Sequence, residues 1–535
     1  MARQRRDSEA AAARWRVVSL AVFLVALAAT LLTLDDPGLA WDEPSSILPG
    51  HFYAAWLGEL PRLPFSREAI DHFWAPNHEH PPLAKVLMGI SQALIGRGSP
   101  ILASRIAVAM LFALLVELVL KMGAGASGGL AGLLAAVSLL CMPRVFGHAH
   151  LAALDLPMAL IWLLAVAAFA RAVDKGTHRA CALSGLCFGL ALLTKINAVF
   201  LPLVFLGWGI GFHRRRALEP LAWTLLLGPA VFFIGWPWLW HDPAARLGAY
   251  LRAPQRVTLY VQYFGRVYAD KSAPWHYPLV MTLVTIPVGI LALVCGGAVA
   301  AARRFRREPM LALVLINVAV ILGVFMVPGV PKYDGVRLFL PVFPFLALLA
   351  GIGGERCWNW IARRSRKRPW RPLLATAVFF LSQAAAYGPV HPCELSYYNA
   401  LVGGLWGADK LGMETTYWHE CVTRRLFQWL NRRCQRGHVV AFYPVGEQVV
   451  LGPHPRTRQH MPNFYDTYYL NFPRDKGLKA VRLEHAPHAH FVVINARRAI
   501  LERYHPEALR ILDQEQPLFA VTRQGVLLAA VYAGK

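Results

Sequence analysis

The chain has 535 residues, is 56% hydrophobic and only 16% charged, and has a mean hydropathy of +0.40. Soluble domains average about a quarter charged residues, which excludes a wholly water-soluble fold for most of this chain. The net charge of +24 does not point to nucleic acid, because the basic residues sit mostly in short loops between apolar runs. That pattern orients helices in a membrane.

Apolar runs at about 17–35, 101–121, 128–143, 156–172, 180–195, 197–212, 221–240, 277–300, 310–328, 336–355 and 372–390 predict about eleven transmembrane helices. Residues 1–16 form a basic N-terminal segment whose arginines, Arg3, Arg5, Arg6, Arg14 and Arg16, place it in the cytoplasm. The first run lacks an A-x-A-like cleavage site and reads as a span. Residues 83–96 are apolar but short of the ~20 needed to cross, so they read as a helix lying along the interface within the first outer loop, 36–100. Counting them as a span would send four loops (171–179, 214–216, 303–307 and 363–371), holding 16 Lys and Arg, to the outer side. The positive-inside bias rejects that. Residues 17–390 are therefore a polytopic membrane domain with loops 36–100, 144–155, 241–276 and 329–335 on the outer side. The helical pair Glu117 and Lys121 reads as an ion pair, and Trp236-Pro237-Trp238-Leu239-Trp240 as an interfacial anchor.

Residues 391–535 alternate strand-like runs (438–443, 490–494, 518–522 and 526–531) with helical ones (423–433 and 498–511), predicting a small extracytoplasmic α/β domain. It contains no GxGxxG, P-loop or nucleophile elbow, so catalysis is not expected there. No C-x-x-C pair occurs among the eight cysteines. A disulfide among Cys393, Cys421 and Cys434 is allowed if they face an oxidising space.

The residues with chemical potential gather on the outer side. Asp42 and Glu43 follow the first span, where a carboxylate can take the proton of an acceptor hydroxyl; capping the next helix is the competing structural reading. His78, Glu79 and His80 do not form an H-E-x-x-H site, so no metal is assigned. Lys85 is placed to meet a lipid phosphate or to snorkel to headgroups. Arg144, His148, His150 and Asp155 crowd one short turn, with Asp155 also suited to cap a span. Lys195 and Arg337 each stand alone at the edge of an apolar run, where a cation is expensive unless paired or functional.

Together, Asp42-Glu43 after the first span, His80-Pro81-Pro82-Leu83-Ala84-Lys85, the Arg144…Asp155 turn and Leu193-Thr194-Lys195 resemble the dolichyl-phosphate-mannose protein mannosyltransferases. They also resemble the bacterial phospholipid-carrier-dependent glycosyltransferases of the GT-C fold, over roughly residues 17–355. His391–Gly404 is similar to a stretch of bacterial members. The resemblance implies a multi-pass enzyme of the bacterial inner membrane that transfers a hexose or pentose, with inversion, from polyprenyl phosphate to a hydroxyl on a protein, lipid or glycan acceptor at the outer face. It implies Asp42, Glu43 and Asp155 as the catalytic carboxylates, with Lys85, Arg144, Lys195 and Arg337 on the donor phosphate. His80, His148 and His150 are left as sugar or acceptor contacts. A divalent cation is compatible with this reading and not required by the sequence. Partners are the lipid-linked donor, the acceptor and membrane lipids, without nucleic acid. The competing class is a non-catalytic transporter or flippase of lipid-linked sugars, which should show repeats and polar residues near the bilayer midplane.

Overall fold

A computed structural model describes residues 2–60, 65–95, 99–256, 258–435, 437–444, 479–481 and 488–534. The last residue of the expected interfacial helix, 96, and parts of the tail lie outside these residues.

Helix α1 (Ala2–Leu31) carries the first apolar run; α2 (Pro44–Glu59), α3 (Arg67–Trp74) and α4 (Leu83–Ile95) fill the first loop. Then come α5 (Pro100–Ser127), α6 (Gly129–Leu140), α7 (Pro143–Ala149), α8 (Asp155–Lys175) and α9 (His178–Leu192). They are followed by α10 (Leu201–Trp208), α11 (Leu218–Ile234), α12 (Pro243–Arg256) and the hairpin β1–β2 (Tyr260–Tyr263, Arg266–Ala269). Helices α13 (Tyr277–Thr285), α14 (Val288–Arg303), α15 (Pro309–Met326), α16 (Val342–Arg364) and α17 (Arg371–Ala384) complete the helical part.

Every predicted span is helical, but not every one is straight or long. Among the described residues, five helices are long and apolar enough to cross a membrane, or up to seven if each bent pair is one span. The predicted span 277–300 is two helices, α13 and α14, meeting at 119°. Pro287 stands at the break, where it cannot supply the amide a continuous helix needs. Residues 128–143 bend by 72° into α7, and α9 has only 15 residues.

The helices define two poles. α5, with 28 residues, is about 42 Å long at 1.5 Å per residue. Its start holds Arg105 against Glu43, and its end donates from Ser127 to Glu355 of α16. Gly129 lies against Trp15 at that same far end. Also remote from the start of α5 are Phe212 against Phe305, with ring centroids 5.4 Å apart, and Trp208 Nε1, which donates to the Pro309 carbonyl at 2.6 Å. His178 meets Glu219 there. The basic loops 171–179, 214–216, 303–307 and 363–371 therefore share one pole, opposite Asp155, Lys195 and Arg337, from which α8, α10 and α16 depart.

The tail adds α18 (Gly404–Lys410), α19 (Arg424–Arg433), β3 (Val439–Tyr443), β4 (Lys479–Val481), β5 (Phe491–Asn495), α20 (Arg498–Tyr504), α21 (Pro506–Gln514), β6 (Phe519–Arg523) and β7 (Val526–Ala533). The five strands form a mixed sheet in the order β4-β3-β5-β7-β6, parallel through β4, β3 and β5 and antiparallel at β7 and β6. This is the expected α/β unit, but it is not detached. One apolar core runs from Phe112 and Val166 through Cys393 and Val422 to Val440 and Val493. Cys393, Cys421 and Cys434 are buried, and Cys393 and Cys421 are free thiols, so a disulfide between those two is not formed.

The Trp236–Trp240 segment corrects an expectation. Trp236 and Trp238 are buried with Tyr53, Trp56 and Trp74, and Tyr53 stacks on Trp74 at 4.4 Å. Helices α2 and α3 fold over the segment, so it is a core that anchors the first loop and not a lipid-facing belt. The expected Glu117–Lys121 pair is present at 2.7 Å.

Candidate active site

Arg337 is the centre of the charged pole. Helix α15 ends ahead of Pro328-Gly329-Val330-Pro331, and the chain then turns at Asp334-Gly335, both with positive φ (54° and 64°). Glycine is favoured at 335 by that positive φ, and a Cβ there would also lie 2.3 Å from Arg144 Nη1. The turn points Arg337 inward, where it meets three carboxylates. Nη2 donates to Asp42 at 2.5 Å, Nη1 to Asp334 at 2.9 Å and Nε to Asp155 at 3.2 Å. Its guanidinium lies 4.0 Å from the Trp418 ring centroid. A guanidinium carries five N–H donors, so two remain for a further acceptor.

Asp155 is the first residue of α8, where the helix dipole favours a carboxylate. Its oxygens go to Lys195 and Arg337, not to the helix backbone, which overturns the capping reading. Lys195 is reached because the chain breaks into an extended conformation between α9 and the next turn. It keeps two of its three donors uncommitted. Four sequence-predicted residues (Asp42, Asp155, Lys195 and Arg337) thus meet in one network.

Asp42 differs from its neighbours. It is enclosed by protein, yet its side chain is 37% exposed, so it lines a recess. Desolvation, only partly offset by Arg337, raises its pKa above the usual carboxylate range. His80 opens on the same surroundings. Burial and the nearby cations Lys85, Lys195 and Arg337 push its pKa down to about 3, leaving a neutral imidazole.

Glu43 does not join them. It is fully buried and accepts from Arg105 Nε at 2.8 Å and Nη2 at 2.7 Å, and from the amides of Ala40 and Ala152. Arg105 also donates to the carbonyls of Leu34, Pro37 and Gly38. With its oxygens saturated and no solvent access, Glu43 fastens the loop to α5 and cannot meet an acceptor. Arg105 went unread, although a cation inside an apolar run is itself a signal.

His150 is likewise structural. Its Nδ1 donates to the Phe146 carbonyl at 2.7 Å, and its Nε2 accepts from Thr33 Oγ1 at 2.8 Å, pinning α7 to α1. Lys85 is buried rather than lying on a surface. It donates to the carbonyls of Asn77 and His80 at 2.6 and 2.8 Å, shaping the loop that carries His80. Arg144 donates to the Tyr397 carbonyl at 3.0 Å and stacks on Tyr398 and Tyr417. Arg144 and His148 line a small cleft with Asp334, Tyr417 and Trp418, so both border the network without entering its ion pairs. Residues 143–160 are all buried, and Leu151 and Ala153 pack in one cluster with Leu395, Tyr417 and Trp418 of the tail.

Sequence reasoning also missed Asp334, Trp418 and Arg497. Asp334 reads as a turn residue beside Gly335, and the other two belong to a tail that carries no catalytic motif.

Residues 79–241 match the family model of dolichyl-phosphate-mannose-protein mannosyltransferase, a stretch that includes His80, Lys85, Arg144, Asp155 and Lys195. In structure the chain is similar to ArnT from Cupriavidus metallidurans in the apo state. The TM-score is 0.53 at 14% identity, over 97% of this chain and 98% of that one. The fold is GT-C. The undecaprenyl phosphate-bound form of the same ArnT matches with a TM-score of 0.50, 14% identity and the same coverage. No curated protein matches in sequence.

Proposed function

We propose that the protein is a polyprenyl-phosphate-dependent glycosyltransferase that moves a sugar to an acceptor hydroxyl at the outer face of a bacterial inner membrane. The observation that carries this is the Asp42–Arg337–Asp155–Lys195 network on a recess at the pole opposite the basic loops. The GT-C fold and the family match over residues 79–241 support it. Placing the four basic loops at the far pole supports an N-terminus in the cytoplasm and the eleven-span reading.

Lys195 and Arg337 hold unused N–H donors and sit side by side through Asp155, as a clamp for the carrier phosphate requires. Asp42 is the base. It takes the acceptor proton as the acceptor oxygen bonds to the anomeric carbon. The bond from that carbon to the phosphate oxygen breaks, and its electron pair leaves with polyprenyl phosphate, giving inversion. Donor phosphate shares Arg337 with Asp42, weakening the pair that restrains the carboxylate and making it a better base once donor is present. Asp155, saturated by both cations, positions them. His80, near the cations and uncharged, serves as a sugar or acceptor contact.

The test supplies radiolabelled synthetic polyprenyl-phosphate hexoses and pentoses to the full chain in lipid vesicles. With bacterial envelope extract added as the source of acceptor hydroxyls, release of sugar from the donor onto acceptor with formation of polyprenyl phosphate is expected, together with binding of undecaprenyl phosphate. Movement of intact donor between leaflets without sugar release would instead establish the flippase reading. Absence of both, with no undecaprenyl phosphate binding, would end the proposal.

A further inference from the structure

The tail reaches the site through Arg497 and the segment around Trp418, both packed against the first loop. Arg497 lies between β5 and α20 and is 1% exposed. Its Nη2 donates to Asp334 at 2.6 Å and its Nη1 to the Tyr417 carbonyl at 3.3 Å. The same guanidinium lies 4.6 Å from the ring centroid of Trp41, the residue preceding Asp42. Trp41 is held a second time by its backbone amide, which donates to the Trp418 carbonyl at 3.1 Å. Gly38 repeats this pairing with the Glu420 carbonyl at 2.8 Å. Trp418 itself donates from Nε1 to Asp334 at 2.7 Å and stacks on Arg337.

We propose that Arg497 is a positioning residue of the transfer site, and that the C-terminal α/β unit completes this site rather than merely covering it. The role rests on the transferase reading above. Asp334 binds two cations, Arg337 and Arg497. By neutralising Asp334, Arg497 leaves Arg337 free to turn toward Asp42 and the incoming phosphate. By packing on Trp41, it fixes the backbone that carries Asp42. Without Arg497, Asp334 has one cation left and draws Arg337 to itself. Asp42 then loses its partner, and desolvation makes it harder to ionise.

The test compares R497A and R497K with wild type, per folded molecule, in full-length protein. In R497A, kcat should fall roughly tenfold to 100-fold, as expected for loss of a charged hydrogen bond in a buried network. Undecaprenyl phosphate affinity should weaken by less than kcat falls, because Lys195 stays in the clamp while Arg337 is drawn toward Asp334. The acid limb of the pH–rate profile should move to higher pH, which a purely structural role would not cause. R497K should recover part of the rate. A lower Tm with unchanged kcat and an unmoved acid limb would overturn the inference. If R497A does not fold, R497K decides. A kcat lowered by more than donor affinity is weakened supports positioning, and wild-type kinetics contradict it. A cryo-EM structure of the same variant gives a readout independent of activity. Withdrawal of Arg337 from Asp42 toward Asp334 is expected, and an intact Arg337–Asp42 contact would overturn the inference even if no donor is turned over. Failure of wild type to transfer sugar would instead count against the transferase reading.

Discussion

Asp42 and Glu43 are adjacent in the chain and opposite in fate. Glu43 has no exposure and accepts four hydrogen bonds, two from a bidentate arginine. Asp42 keeps 37% of its side chain open and holds one cation shared with two other acids. The first arrangement is a fastener and the second is a group kept available. An acid beside an apolar run is therefore not informative by itself; what decides its role is whether its partners exhaust its oxygens.

The largest effect should come from breaking the fastener. Arg105→Ala leaves Glu43 charged and unpaired in the interior, and removing one partner of a buried pair costs about 3–5 kcal/mol. Thermal unfolding in detergent should show a collapse in stability, with any folded remainder still turning over donor. A variant as stable as wild type would mean the pair is not holding the loop. Asp42→Asn should do the reverse, leaving Tm close to wild type while transfer falls roughly 10²–10⁴-fold.

Lys195→Ala sharpens the comparison within the network. Donor affinity, read by undecaprenyl phosphate titration, should weaken more than turnover, by roughly tenfold or more for a lost charged hydrogen bond. Unchanged affinity would remove Lys195 from the phosphate clamp. The pH dependence follows from the Asp42 carboxyl, whose pKa is raised by burial. As a base it must be ionised, so the rate should fall as pH drops through that raised value, and the acid limb should lie above the usual carboxylate range. A limb at ordinary aspartate pH would contradict the burial argument.

The smallest effect concerns Glu414 in the tail, whose carboxyl is buried and pushed up to about 7 from 4.5. A raised folded-state pKa gives stability that is full below the unfolded value and lost as pH rises through the folded one. Wild-type Tm should therefore decline between about pH 4.5 and 7, and Glu414→Gln should flatten that decline. Identical slopes would refute it.

Much of the fold was legible, because hydrophobic runs and basic loops are local signals. Asp155, Lys195 and Arg337 were legible for the same reason, each being a charge next to an apolar run. What was not legible depends on distant partners. Glu43 meets an arginine 62 residues away, and Asp334 meets one 163 residues away. His150 was misread because a histidine in a short loop looks free until α1 and α7 close on it. The tail lacked any motif of its own, since its contribution is a guanidinium delivered to another element's carboxylate.

The most direct test measures sugar transfer per folded molecule for Asp42→Asn beside wild type, with Tm recorded on the same samples. A folded variant slowed at least about 100-fold is the predicted result. A folded Asp42→Asn protein working within about threefold of wild type would contradict the assignment of the base and, with it, the distinction drawn between the two acids.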